Sequence, residues 1–310
     1  MQIVHERCCG LDVHKKSIVA CLLSGSEREI RHFGTLTSDI RALALWLSES
    51  NCRVVGMEST GSYWKPIYNI LELLDFELIV ANAQHIKNVP GRKTDVKDAE
   101  WIAQLLRHGL VNSSFIPDKE HREIREIVRY RKSLINERAR EINRLEKMLQ
   151  GGNIKLSSVV SELTGVTSQV LLRRLVEDSL SADNIGDCLH GSLRDKREEL
   201  LKACEGMLSR NQRLLIAAVL DHIEDMTRRI GDMDRIILDK MREYDEQIAR
   251  LKEIPGIGQS SAETILAEIG SDMSRFPTEK QLAKWQGFVP ETMKARGEAN
   301  PDEPARAIKL

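Results

Sequence analysis

Cys8-Cys9-Gly10-Leu11-Asp12-Val13-His14-Lys15-Lys16-Ser17-Ile18-Val19-Ala20-Cys21-Leu22-Leu23 sets two apolar runs on either side of the polar turn His14-Lys15-Lys16. Two such runs with a short polar break read as a β-hairpin. Asp12 interrupts the first run. A carboxylate inside a central strand is costly unless it is paired or bound to a cation. On an edge strand the same residue would sit in solvent at little cost. Both readings of Asp12 are open at this point.

Working outward, Phe33-Gly34-Thr35-Leu36 ends a third strand, and Ser38–Ser50 carries a helical stripe through Ile40, Leu43, Ala44 and Leu47. Cys52–Met57 reads as a buried strand, with Glu58-Ser59-Thr60-Gly61 at its C-terminal end. In open α/β sheets ligands gather at that end. Ser62–Leu74 is predicted helical and Glu77–Val80 a strand; Asn82–Val89 is a polar connector. Then comes Arg92-Lys93-Thr94-Asp95-Val96-Lys97-Asp98-Ala99, running into a helix with Ile102, Leu105 and Leu106 on its core face. Thr94 can cap that helix. Asp95 and Asp98, three apart, share one of its faces. Acids in a first turn also suit the helix dipole, at about 0.3–1 kcal/mol each. The order β-β-β-α-β-α-β-α over residues 1–115 predicts an α/β domain: a mixed sheet with helices on both faces.

The 310 residues carry a net charge of -1, with 41% hydrophobic, 30% charged and 4% aromatic residues. That length suggests two domains. The charge balance excludes a chain-wide polyanion-binding character, so any nucleic-acid contact must come from local patches. Six cysteines without a CxxC pair point to buried thiols in a reducing, cytoplasmic setting rather than to disulfides or zinc. The polar start Met1–Gly10 is no signal peptide, and no run reaches membrane-spanning length.

Pro117 marks a boundary, and residues 116–250 read as a helical coiled-coil region. Val128, Ile135, Ile142 and Leu149 recur every seven residues in Asp118–Leu149, with Ile124 and Leu145 beside them. Ile216, Ile223, Ile230, Ile237, Tyr244 and Leu251 do the same in Gln212–Leu251, which predicts a second continuous helix. The two helices could pair within one chain or between copies. Arginines crowd the first of them, so Arg131 and Lys132 are candidate phosphate contacts. Residues 154–207 read as short helices and polar turns without recognisable chemistry. Residues 251–290 form a partial helical C-terminal domain. Its Pro255-Gly256-Ile257-Gly258 turn resembles a helix-hairpin-helix, in which backbone N–H groups grip phosphate; Gly256 and Gly258 are the candidates. Arg92 and Lys93 are further candidates, and His85 reads as a surface histidine or a phosphate contact. Residues 291–310 are predicted disordered.

Asp12, Glu58, Asp95 and Asp98 would repel one another if brought together, by roughly 4 kcal/mol per pair at 4 Å and an effective dielectric of 20. A hard divalent cation, Mg²⁺ or Mn²⁺, would neutralise them. Paired ions of that kind serve phosphoryl transfer, which makes a polynucleotide backbone the matching substrate.

Gly10-Leu11-Asp12-Val13-His14-Lys15, Met57-Glu58-Ser59-Thr60-Gly61 and Arg92–Ala99 together resemble the acidic motifs of the IS110/IS1111 (Piv-like) insertion-sequence transposases. Ile254–Gly258, Phe276-Pro277 and Trp285 to Gly287 resemble the start of that family's second domain. The resemblance covers about residues 8–290. It implies a RuvC-like, RNase H-like fold whose DEDD tetrad is Asp12, Glu58, Asp95 and Asp98, both as metal ligands and as catalytic acids. It implies DNA recombination by strand exchange between element ends and target, homo-oligomeric assembly on DNA, and a structured guide RNA. It also implies a nucleophilic serine shortly after the Pro290 equivalent. Here Glu291-Thr292-Met293-Lys294-Ala295-Arg296-Gly297 follows instead, and no serine lies beyond Ser274. A chain truncated relative to the family, impaired in strand transfer, is the matching expectation. The alternatives are a metal-dependent junction nuclease using the acids alone, and a non-catalytic remnant that binds DNA or oligomerises.

Overall fold

Alternation along the first hairpin decides how the layers stack. In the computed structural model, which describes residues 2–59, 61–82, 86, 98–111, 113–276, 278–279 and 282, the hairpin is β1 (Arg7–Val13) and β2 (Ile18–Ser24), paired from Arg7↔Ser24 to Val13↔Ile18. β3 (Glu27–Phe33) continues the meander as an edge strand. α1 (Thr37–Glu49), β4 (Val54–Glu58), α2 (Trp64–Leu71) and β5 (Glu77–Ala81) follow. β4 pairs parallel to β1 and β5 parallel to β4, giving one five-stranded mixed sheet in the order β3-β2-β1-β4-β5. This is the RuvC-like α/β arrangement expected from the sequence, and β1, which carries Asp12, lies at its centre rather than at an edge.

Side chains alternate across a strand. Cys9, Leu11, Val55 and Met57 face a core built with α1 and α2. Cys8, Cys21 and Val54 face the other way, into a second core built with α3 (Asp98–Arg107). The predicted cap of α3 at Thr94 lies outside the described residues.

All six cysteines are buried and free. Burial pushes the Cys8, Cys21 and Cys204 thiols up to about 11 and Cys52 to about 12, and holds Cys9 and Cys188 high as well. Thiols so raised and so inaccessible are unreactive. Titration of the native protein with a charged aromatic disulfide at pH 7.5 is expected to consume essentially no reagent until denaturant is added, when six equivalents react. A fast-reacting thiol in the native protein would contradict this packing.

The chain separates into compact units at 1–116 and 117–310. The second unit is built on α4 (Lys119–Gly151) and α7 (Arg210–Lys240). Asp118 caps α4 by accepting from the His121 N–H at 2.9 Å, and Ser209 with Gln212 forms a capping box on α7. The two helices run antiparallel within the one chain. Lys240 meets Glu123, Asp234 meets Arg131 and Thr227 meets Arg138. Leu145 and Leu149 pack at the far end with Ile216, Val219, Leu220 and Ile223. That far end is closed by α5 (Val166–Val176), α6 (Arg197–Cys204) and short 3-10 turns, as expected for 154–207.

The second long helix is not continuous to Leu251. It stops at Met241, passes through a 3-10 turn at Arg242–Tyr244 and resumes as α8 (Asp245–Lys252). Lys240 and Gln247 fall on the second seam line, so nothing apolar holds a straight pair there. The break lets Ile248 join Ile124, Val128, Ile237 and Met241 in a small core with Ala262, Leu266 and Ala267 of α9 (Gln259–Ile269). The end of the expected C-terminal domain, 277–290, lies outside the described residues apart from positions 278, 279 and 282, and so does the tail at 291–310.

Candidate active site

Two strands repeat one local pattern. Gly10-Leu11-Asp12 in β1 and Gly56-Met57-Glu58 in β4 each place a glycine two residues before an acid, on the same face of the sheet. The two glycines are partners in the parallel register, Gly10↔Gly56. The reason for them is α3. A Cβ at Gly10 would lie 2.2 Å from the Ala99 carbonyl oxygen and 2.4 Å from the Ala103 nitrogen. A Cβ at Gly56 would meet the Leu106 side chain at 2.5 Å. The helix backbone therefore rests directly on the strand, as close packing at a glycine allows. Farther along, the Cys8 thiol donates to the Ala103 carbonyl at 3.4 Å. α3 thus runs against the direction of β1 and brings its N-terminal residue, Asp98, to the end of the sheet where Asp12 and Glu58 emerge.

Two contacts strap this helix to the β2–β3 hairpin. Arg28 of β3 donates to Glu100 at 2.5 Å, and Arg107 donates to the Gly25 carbonyl. Both ends of α3 are held, which limits how far Asp98 can drift from the sheet.

Asp12 feels the other two described acids electrostatically. Burial lifts the Asp12 carboxyl above the ordinary carboxylate value, and the charges of Asp98 and Glu58 push it the same way; the neighbouring His14 opposes them. Asp12 is 24% exposed at its side chain, at a rim open to solvent. Among the described residues no three His, Cys, Asp or Glu side chains close into a metal-holding group. Asp95, the fourth predicted acid, lies outside the described residues, as do Arg92, Lys93 and His85. Carboxylates are the donor type that a hard divalent cation takes, and three of them come to this end of the sheet.

Sequence reading missed His14. Its Nε2 lies 3.1 Å from Asp12 Oδ2. The signal was available, because residues 10, 12 and 14 alternate onto one face.

Arg131 is a correction. It does not present its charge to solvent: it is 3% exposed and donates to Asp234 at 2.8 Å and Glu263 at 2.6 Å. The reason is its place in the heptad. Ile124, Arg131, Arg138 and Leu145 form the second seven-residue line of α4, the line that faces α7. Other arginines of α4 are equally engaged. Arg125 donates to the Ala267 and Glu268 carbonyls, and Arg129 makes a bidentate pair with the Glu268 carboxylate at 2.6 and 2.7 Å. Arg125, Arg129 and Arg131 together hold α9. Lys132 is exposed.

The glycine turn before α9 is exposed as well. Gly256 has φ +89°, in the left-handed region that favours glycine. Gly258 is the N-cap of α9, with its carbonyl accepting from Ala262 at 2.9 Å.

Comparison with known proteins places these features in context. A DEDD-type IS110 transposase family model matches residues 9–154, and the model of the transposase IS116/IS110/IS902 family matches residues 248–295. A Leptospira borgpetersenii transposase for insertion sequence element IS1533 is 32% identical over 157 residues, which is 47% of this chain and 44% of that protein. A Sinorhizobium fredii protein, y4qE, provisionally named a transposase, is 30% identical over 136 residues, 42% of this chain and 35% of its own length. A 44.8 kDa protein of insertion element IS116 from Streptomyces clavuligerus is 26% identical over 245 residues, 69% of this chain and 60% of its own. The chain therefore spans between about a third and three-fifths of the length of these relatives. Among the described residues no helix is long and apolar enough to cross a membrane.

Proposed function

This chain belongs to the IS110-type transposase family, and on that premise we propose that it is a DNA recombinase whose unit 1 carries the acidic half of the active site. One observation supports the reading above all others: Asp12, Glu58 and Asp98 come to the same end of the sheet from three separate segments, close enough that the charges of Asp98 and Glu58 are felt at the Asp12 carboxyl. Asp95 completes the set by the family pattern.

Asp12, Glu58, Asp95 and Asp98 are the residues that would hold Mg²⁺ or Mn²⁺. A divalent cation bound there neutralises charge on the scissile phosphate and its leaving oxygen. The chain's own contribution is placement. The glycine pair lets α3 press Asp98 toward the strands, and the Arg28–Glu100 and Arg107–Gly25 contacts keep it there. The positive end of the α3 dipole faces the acids and eases their crowding. Lys132, Arg92, Lys93 and the backbone at Gly256 and Gly258 are the proposed phosphate contacts, which would position DNA without reading its sequence. Partners on this reading are element-end and target DNA, a structured guide RNA and further copies of the chain.

Incubating the protein with branched DNA and Mg²⁺ tests this. Nicks are expected with the unaltered protein and none with Glu58→Gln. Since no serine follows Ser274 in these 310 residues, nicking without a covalent serine–DNA adduct is the expected product pattern, which is also that of a junction nuclease. An adduct would place the nucleophile on a serine elsewhere in the chain. Binding without any metal-dependent nick, in the protein and its variant alike, would reduce the chain to a DNA-binding role.

A further inference from the structure

The β1–β2 turn carries a group that the tetrad of acids does not use. His14 N–H donates to the Ser17 carbonyl at 2.9 Å, which closes a two-residue turn over Lys15 and Lys16. The Thr35 hydroxyl donates to the Lys15 carbonyl at 3.1 Å and pins that turn to the chain leaving β3. Strand alternation points residue 14 to the face of Asp12, and the ring sits with Nε2 at 3.1 Å from Oδ2. An ionised carboxylate only accepts, so Nε2 carries the proton of this contact. One Asp12 oxygen is thus occupied by a donor on a pinned turn, and the other is left for a cation.

We infer that His14 is a positioning residue for the acidic site: its Nε2–H holds the Asp12 carboxylate in the orientation that a divalent cation needs, without His14 itself ligating the ion. The inference rests on the metal-site reading of Asp12. Carboxylate and imidazole ligands are commonly oriented by hydrogen-bond partners outside the ligand set, whose loss weakens metal binding about 10- to 100-fold. The ring is 63% exposed, so its removal leaves no cavity and should leave the fold intact. A residue that only completes a turn would behave differently, because its loss would lower stability and leave ion affinity alone.

The test uses the full chain and Mn²⁺ alone, with binding followed by the electron paramagnetic resonance of free Mn²⁺. Four proteins are compared: the unaltered chain, His14→Ala, His14→Gln and Asp12→Asn. His14→Ala is expected to weaken Mn²⁺ binding about 10-fold or more with an unchanged melting temperature in EDTA. His14→Gln keeps an N–H donor of similar reach and is expected to retain most of the affinity. Electron spin-echo modulation of the bound ion should show no imidazole nitrogen coupling. If Asp12→Asn loses the ion while His14→Ala binds normally, the role of His14 is overturned and the acidic site stands. Directly coupled imidazole nitrogen would also overturn it, by making His14 a ligand. If Asp12→Asn binds as tightly as the unaltered chain, the metal-site reading falls and this inference with it.

Discussion

Asp12→Asn is expected to abolish metal-dependent DNA cleavage and, at the same time, to make the metal-free protein more stable. The two effects have one origin. Burial and the charges of Asp98 and Glu58 hold the Asp12 carboxyl above its ordinary value of 3.8. A carboxyl that binds its proton more tightly folded than unfolded supports the fold below its unfolded value. That support is lost as pH rises through its raised folded value. At neutral pH the charged form is therefore a burden on the metal-free fold, and the amide removes it. Loss of the carboxylate also removes a ligand for the ion. Several kcal/mol of transition-state charge stabilisation go with it, about a thousandfold in rate at 1.36 kcal/mol per decade. Thermal melts in EDTA at pH 7 should place the variant above the unaltered protein. Added Mn²⁺ should raise the unaltered protein and leave the variant where it was. Equal melts in EDTA together with intact cleavage would remove Asp12 from the site.

Gly10→Ala is expected to cost about 3 kcal/mol or more, near the upper range for overpacking. The added carbon would stand 2.2 Å from the Ala99 carbonyl oxygen and 2.4 Å from the Ala103 nitrogen, both backbone atoms of α3. Backbone cannot rotate away, so the helix must lift off the strand and carry Asp98 with it. Gly56→Ala should cost less, since the obstacle there is the Leu106 side chain, which has other rotamers. Gly25→Ala has nothing within 4 Å and meets only the left-handed φ of +56°, for about 1 kcal/mol. Urea unfolding should rank the three as Gly10, then Gly56, then Gly25. Mn²⁺ binding should fall for Gly10→Ala and hold for Gly25→Ala. A Gly10→Ala protein as stable as its parent would mean that α3 does not rest on β1 in this way.

The same glycines show how legible the site was. Strand, turn and helix positions in unit 1 followed from short apolar runs and helical stripes, because a sheet covered on both faces leaves a near-continuous apolar run in each strand. The central place of β1 was not readable: an aspartate in an apolar run is compatible with an edge strand in solvent. Pairing of β1 with β4 settles that, and the glycine two residues before each acid explains why a helix can cross just there.

Arg131 shows the opposite limit. Its charge suggested an exposed phosphate contact, while its seven-residue spacing from Ile124 and from Arg138 placed it on a helix seam. Composition and periodicity disagreed, and burial against Asp234 and Glu263 decided in favour of periodicity. The break of the second long helix at Met241 likewise depended on a partner, the core shared with α9, that lies outside the helix itself.

By itself the sequence determined the order of elements in unit 1 and the heptad seams of the long helices as far as Met241. Each of these is a periodicity carried within one segment, and local backbone geometry is enough to fix it. Only the tertiary structure decided that the long helices pair within one chain, that Arg125, Arg129 and Arg131 of α4 hold α9, and that Asp12, Glu58 and Asp98 reach one end of the sheet with His14 beside Asp12. Those outcomes depend on the direction and register with which distant segments meet, and no single segment's pattern contains that information.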